Sequence, residues 1–164
     1  MSRRVIGVAV ALWLIAVACG GTAPSGGATS APVAAAGPGT IGDRIEANGA
    51  ALTVIKAERK DALSDFQKAK AGNVFVVVEV LIENAGTAKA PYNPFYFTVK
   101  DGDGFESNAA LGTDDQALKS GELGAGEKAR GVVAFEVKKE AKGLVLQYKP
   151  LVFGADDAIR VALP

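Results

Sequence analysis

The chain has 164 residues with 18 basic and 18 acidic side chains, one cysteine and no histidine. The lack of histidine excludes Ser-His-Asp and Cys-His nucleophile systems and removes the commonest zinc and copper ligand. A single cysteine excludes an intramolecular disulfide, and the lack of a basic run argues against a nucleic-acid partner.

Residues 1–18 are predicted to be an export signal. Arg3 and Arg4 precede an apolar run of fourteen residues, 5–18, which is too short to cross about 30 Å of hydrocarbon but suits a secretory signal. The run ends in Ala16-Val-Ala-Cys19-Gly20, which resembles the lipobox of bacterial lipoproteins. The resemblance implies that Cys19 is acylated and anchors the protein to a membrane. The alternative is an ordinary signal peptide with a stray cysteine.

Residues 19–40 are predicted to be the lipidated cysteine and a flexible linker. Between residues 20 and 40, every residue except Val33 is Gly, Ala, Pro, Ser or Thr, so this stretch cannot form a core. A flexible chain of this length has an r.m.s. span of roughly 25 Å. Removing Arg3 and Arg4 leaves 16 basic against 18 acidic residues, a net charge of about −2, and attraction to anionic lipid is not expected.

Residues 41–164 are predicted to form one β-sandwich domain organised around residues 74–82. Alternation in that stretch places five β-branched side chains on one face: Val74, Val76, Val78, Val80 and Ile82. Burying each contributes about 1.5–3 kcal/mol, which does not exceed the cost of ordering nine residues at about 1–2 kcal/mol each. The strand therefore needs a second sheet over its valine face.

Alternation elsewhere predicts seven further short strands, with segment 61–70 as a loop. They are 44–47, 52–59, 93–101, 105–109, 131–137, 144–149 and 158–163. In strand 52–59, Leu52 and Val54 lie on one face, whereas Ile55 and Ala57 lie on the other. This change in the parity of the apolar residues indicates a bulge. The inward-facing residues are predicted to be Phe95, Phe97, Val99, Val133, Phe135, Val137, Leu144, Leu146, Tyr148, Ile159, Val161 and Leu163. Eight short strands indicate an all-β, immunoglobulin-like sandwich.

Several motifs occur in a characteristic order along this domain. They are Ile41-Gly-Asp43, Gly72-Asn-Val-Phe-Val-Val-Val78 with Glu83-Asn84, Asn93-Pro94, Asp103-Gly104, Leu123-Gly-Ala-Gly-Glu-Lys128 and Gly131-Val-Val-Ala-Phe-Glu-Val137. In this order the chain resembles the immunoglobulin-like domains of a bacterial family of secreted lipoproteins of unknown function, related in fold to immunoprotective extracellular antigens. The resemblance implies a fold and an extracytoplasmic location, and it carries no catalytic residues.

Two short motifs suggest chemistry but are better explained as turns. Asp101-Gly-Asp103-Gly104 begins like a calcium loop, but Phe105 and Gly112 stand where such a loop needs oxygen ligands. Gly124-Ala-Gly-Glu-Lys-Ala129 fits a loose dinucleotide pattern, but the next segment alternates as a strand and not as a helix. We therefore predict no metal, no cofactor and no enzymatic activity.

The candidate binding residues are Tyr92 and Tyr96. The parity that buries Phe95, Phe97 and Val99 turns both tyrosines to the opposite face, where they could contact a ligand. The alternative is that they cover the sheet or lie under the 109–123 loop.

The expected function is a monomeric, membrane-tethered binding module for a protein or another envelope partner. A structural or antigenic envelope component, or an accessory subunit of an exported enzyme, are the alternatives.

Overall fold

The structure is a computed structural model that describes residues 37–110, 115–150 and 158–164. The predicted signal peptide, Cys19 and the linker as far as residue 36 lie outside the described residues. Within the described part of the chain, no helix has the length and apolar composition needed to span a bilayer.

Strand β3 (Asn73–Asn84) is the centre of the fold and carries the predicted valine face. Val78 and Val80 are completely buried, and the other three members of the face are at most 5% exposed. β3 lies between two long antiparallel neighbours, β2 (Ala50–Lys60) and β8 (Lys128–Lys138). Phe75, on the opposite face, is also buried, so β3 is covered on both sides near its start.

Each of the eight predicted strands has a counterpart among the described residues, and two further strands are found there. The remaining strands are β1 (Arg44–Ala47), β4 (Ala90–Tyr92), β5 (Phe97–Lys100), β6 (Glu106–Ala110), β7 (Gly121–Leu123), β9 (Val145–Tyr148) and β10 (Ile159–Ala162). Eight of the ten are hydrogen-bonded in the order β1-β2-β3-β8-β6-β5-β9-β10, and the unpredicted β4 and β7 pair with each other.

Strand β6 joins the two halves of the sandwich. Its first part pairs with β5, where Lys100 is opposite Glu106, and its end pairs with β8, where Ala109 is opposite Phe135. A strand that changes partner in this way makes a corner between packed sheets. The valine face of β3 can therefore pack against β5, β9 and β10.

Both halves contribute to one hydrophobic core. Phe97 of β5 and Tyr148 of β9 are stacked, with ring centroids 4.5 Å apart. Of the predicted inward-facing residues, all except Phe95 are buried. The prediction of an immunoglobulin-like β-sandwich is confirmed.

The expected bulge in β2 is present at Ile55. Val54 is opposite Val80 and Lys56 is opposite Glu79, so Ile55 is the extra residue. It is 36% exposed, whereas Ala57 packs against the core. The bulge therefore keeps both halves of β2 facing the core.

The loop and the two turns that the sequence indicated are present in the structure. Segment 61–70 has no helix and is closed by a bridge between Ala62 and Lys68. Asp101 Oδ1 accepts hydrogen bonds from the N–H groups of Asp103 and Phe105, at 3.1 and 2.8 Å. Gly126 has a positive φ of 75° in the turn that leads into β8.

The loop before β3 is fastened to β8 by Glu136. This carboxylate accepts hydrogen bonds from the Lys70 N–H, at 2.8 Å, and from Asn73 Nδ2, at 2.9 Å. The Asn73 side chain, followed by the Lys70 backbone, lowers the pKa of Glu136.

We predict that Val78→Asp prevents folding of the domain. An unpaired buried carboxylate costs several kcal/mol, which is comparable with the stability of a whole domain. Val77→Asp is the matched control, because Val77 is only half-buried and lies on the opposite face. Circular dichroism should show a cooperative melt for the control and none for Val78→Asp. Native-like melting of both variants would contradict the assigned core.

Candidate functional site

The candidate site is the end of the sandwich at which β3 and β8 meet the segment between β3 and β5. We call residues 90–97 the aromatic end; they read Ala-Pro-Tyr-Asn-Pro-Phe-Tyr-Phe and include no charged residue. The segment comprises β4, a 3-10 turn at Pro94–Tyr96 and the first residue of β5. An uncharged, aromatic segment has the composition found at the core of protein interfaces.

The 3-10 turn is encoded by Asn93 and Pro94. Asn93 has an extended backbone, as expected before proline, and its Oδ1 accepts the Phe95 N–H at 2.9 Å. Pro94 suits the first position of such a turn because it has no N–H to satisfy. The Tyr96 N–H donates to the Asn93 carbonyl at 3.1 Å, so hydrogen bonds hold the turn in one conformation.

This turn makes the predicted inward orientation of Phe95 wrong. A strand alternates at every residue, but the turn interrupts the alternation before β5 begins at Phe97. Phe97 and Val99 are buried as predicted, whereas Phe95 is 58% exposed. The exposed aromatic ring of this segment is therefore Phe95.

Tyr92 and Tyr96 are both half-buried and pack against the hydrophobic core. The Tyr92 ring lies against Gly121 of β7, where an added Cβ would be 2.8 Å from the Tyr92 hydroxyl. For Tyr92 this matches the alternative in which the 109–123 loop covers the tyrosine. The role of the two tyrosines as ligand contacts stays a prediction.

Asn84 holds the loops of this end together from beneath. It is the only buried polar residue in the described part of the chain, at 3% exposure. Its Nδ2 donates to the carbonyls of Ala88 and Leu123, at 2.7 and 2.8 Å, and its Oδ1 accepts the Gly86 N–H at 3.0 Å. One side chain thus fixes the approach to β4 and the end of β7.

The cavity under the aromatic end is too small to enclose a metabolite. It measures about 30 Å³ and is lined mainly by apolar atoms, including those of Ile82, Tyr92, Leu123 and Tyr148. Pockets for small molecules usually measure about 300–1,000 Å³. Binding at this end therefore has to use its outer surface.

Burial changes the ionisation of one aromatic residue at this end. Desolvation, with a smaller contribution from Tyr96, raises the pKa of Tyr148 to about 12. The raised pKa reflects the burial of Tyr148 in the hydrophobic core, where its ring stacks on Phe97.

Two larger concavities, of about 170 and 220 Å³, lie away from the aromatic end. One is bounded by Lys56, Glu58 and Glu79, and the other by Asp101, Glu136 and Lys138. In the described ranges, no three His, Cys, Asp or Glu side chains are grouped as metal ligands would be.

Sequence reasoning missed the exposed aromatics at the opposite end of the sandwich as well. Phe66, in the loop before β3, is fully exposed, and Phe105, after the Asp101 turn, is 63% exposed. Lys138 lies over the Phe105 ring, 5.0 Å from its centroid. Two features of the sequence could have indicated that Phe66 is exposed: its neighbours are polar, and the residues around it do not alternate. Cys19 lies outside the described residues.

The strand order and the shared core define the class as an immunoglobulin-like β-sandwich domain. Residues 39–159 match the family described as "Domain of unknown function (DUF4352)", and the chain belongs to this family. No curated protein matches the chain.

Similar solved structures share the sandwich fold at low sequence identity. One is the yjhA protein of Bacillus subtilis, with 21% identity and a TM-score of 0.60 over 77% of this chain and 99% of that one. Another is MPT63, a secreted protein of Mycobacterium tuberculosis, with 11% identity and a TM-score of 0.54 over 77% of this chain and 97% of that one.

A third similar structure is ycdA of Bacillus subtilis, named as a "putative lipoprotein", with 18% identity and a TM-score of 0.65. The match covers 73% of this chain but only 38% of ycdA. At these identities the likeness shows the fold alone.

We predict that Asn84→Ala destabilises the domain by about 1–3 kcal/mol, because buried carbonyls lose their donor. Asn108→Ala is the matched control, since Asn108 is exposed on β6. Thermal unfolding of both variants measures the difference. Equal melting temperatures would show that Asn84 does not hold the end together.

Proposed function

We propose that the protein is a non-catalytic, membrane-anchored lipoprotein that presents its sandwich domain outside the cytoplasm to bind an envelope partner. The observation that carries this proposal is the exposed ring of Phe95 on a hydrogen-bonded turn within an uncharged segment. A turn whose backbone is already hydrogen-bonded loses little further backbone entropy on binding. The recognition surface is centred on Phe95 and supported by Tyr92 and Tyr96.

The anchor is supported by the lipobox-like sequence around Cys19. The composition of the linker provides the reach that a displayed domain needs. A secreted protein and a "putative lipoprotein" among proteins of the same fold agree with this location.

The absence of catalysis is supported by the composition and by the described surface. The chain has no histidine, and the described concavities, of about 30, 170 and 220 Å³, are smaller than the pockets that usually take small molecules. A sandwich that binds by its surface needs no such pocket.

Cys19→Ala should release the protein from the membrane fraction. Two acyl chains hold a protein far more firmly than the marginal binding of one chain, and the variant has neither. Cell fractionation followed by immunoblotting measures the change, with the wild-type chain as the control. A variant that stays as membrane-bound as wild type would contradict acylation at this residue.

A photo-crosslinker at exposed Lys89, beside β4, should capture the partner on intact cells. The adduct should weaken in Phe95→Ala, because truncating an interface hot spot costs about 2 kcal/mol or more, and should persist in Phe66→Ala at the opposite end.

The variant Tyr96→Ala tests whether Tyr96 contacts the partner or only supports the fold. A lower melting temperature with an unchanged adduct would assign Tyr96 to the scaffold. An adduct that is indifferent to Phe95 would favour a structural or antigenic role.

A further inference from the structure

The described chain enters the domain at the aromatic end. Gly39 pairs in parallel with Val161 of β10: its N–H donates to the Arg160 carbonyl at 3.0 Å, and its carbonyl accepts the Ala162 N–H at 2.8 Å. Because the pairing is parallel, residues 37 and 38 run back towards the start of β10 at Ile159. Anything that precedes residue 37 therefore joins the domain at that level.

The register of the sheet places the aromatic segment at the same level. Ile159 is opposite Tyr148, and Tyr148 is opposite Phe97. Phe97 directly follows the 3-10 turn that carries Phe95. The point of entry and the aromatic end thus lie at one end of the sandwich, whereas Phe66 and Lys142 lie at the other.

The chemistry of this end suits the boundary between lipid and water. Phe95 is 58% exposed, exposed Pro91 precedes Tyr92, and residues 90–97 contain no charge. Tyrosine is enriched at this boundary because its ring is apolar and its hydroxyl is polar. Exposed Lys89 and Lys149 flank the segment, and lysine can keep its ammonium group in water while its stem contacts apolar surface. The nearest carboxylate along the β4–β7 pair is exposed Glu122, opposite Pro91.

We infer that the aromatic end docks on the lipid–water interface of the membrane that carries the anchor, with the Phe95 ring inserted among the headgroups. This inference rests on the proposed function, because the anchor supplies the proximity. A short flexible tether gives an effective concentration in the millimolar range, so a contact that is weak in solution becomes populated. The r.m.s. span predicted from the composition of residues 20–40, roughly 25 Å, is long enough for the end that they join to reach the bilayer.

A lipid surface fits the charge distribution better than an anionic polymer or a small ligand does. The aromatic end has no cationic cluster to bind phosphates in series, and its cavity of about 30 Å³ accepts no headgroup. The apolar ring is the driving contact. Docking should therefore depend on Phe95 and only weakly on the fraction of anionic lipid.

The test uses the full acylated chain reconstituted in phosphatidylcholine vesicles. Cys19 is the only native cysteine, and acylation blocks it, so Lys89→Cys gives one free thiol for an environment-sensitive fluorophore. Nitroxide-labelled lipids then report contact. We expect strong quenching at position 89 and little at Lys142→Cys. Phe95→Ser should lower the docked-to-free ratio roughly tenfold, whereas Phe66→Ser, the matched control, should leave it unchanged. Adding phosphatidylglycerol should raise it by at most about fivefold, because Lys149 is the flanking lysine that remains in Lys89→Cys and one lysine near an anionic surface contributes about 1 kcal/mol.

The outcomes separate this inference from the proposed function. Protein that floats with the vesicles but shows no quenching at position 89, or equal quenching in Phe95→Ser, overturns docking and leaves the anchor intact. Quenching that appears only in native membranes, and not in pure lipid, assigns the surface to a protein partner and also overturns it. Protein that does not float contradicts the anchor, and the docking inference falls with it.

Discussion

The structure depends on the contact between the valine face of β3 and the facing half of the sandwich. Val78 and Val80 are completely buried at the middle of that face, and the stacked rings of Phe97 and Tyr148 belong to the other half of the same core. A strand cannot bury one face alone, because ordering its backbone costs as much as the burial supplies. The corner strand β6 meets this requirement by pairing with both halves.

The other constraint is the buried amide of Asn84, at the point where the apolar alternation of β3 stops. Satisfying this amide requires backbone partners from 86, 88 and 123, so the loops must converge on it. A buried polar group with every bond made fixes one arrangement, whereas an apolar residue there would tolerate several. The aromatic end thus acquires a defined shape from a residue that contacts no partner itself.

The alternation of apolar and polar residues predicted the core, because every second side chain of a strand lies on the same face and this depends only on the local sequence. It failed where local chemistry overrides the alternation. Asn93-Pro94 forms a 3-10 turn that leaves Phe95 exposed. An Asn-Pro pair in a sequence indicates such a turn. The Asn48-Gly49 hairpin, with φ of 53° and 75°, could also have been read from its sequence. The β4–β7 pair could not, since two three-residue strands from distant loops are brought together only by Asn84 and the core. Whether the residues of a candidate site are exposed can therefore be determined only from the tertiary structure, even where the fold itself can be predicted from the sequence.

The exposed surfaces of the domain differ in whether their charged side chains already form ion pairs. On the outer face of β3, Glu83 is bound by Arg44 and Lys128, at 3.0 and 3.1 Å, and Glu79 by Arg130 at 2.6 Å. The Arg44 side chain, followed by Lys128, lowers the pKa of Glu83, so the Glu83 carboxylate stays ionised and paired near neutral pH. A partner would have to displace these pairs and would gain little from each exposed one. Phe95 carries no charge and therefore has no ion pair that a partner would have to displace. Its ring is 58% exposed on a turn whose backbone is already hydrogen-bonded. Burying the exposed part of the ring would therefore contribute favourable binding free energy without first breaking an ion pair. That asymmetry favours the end of the sandwich over its broad outer face as the surface for the proposed binding.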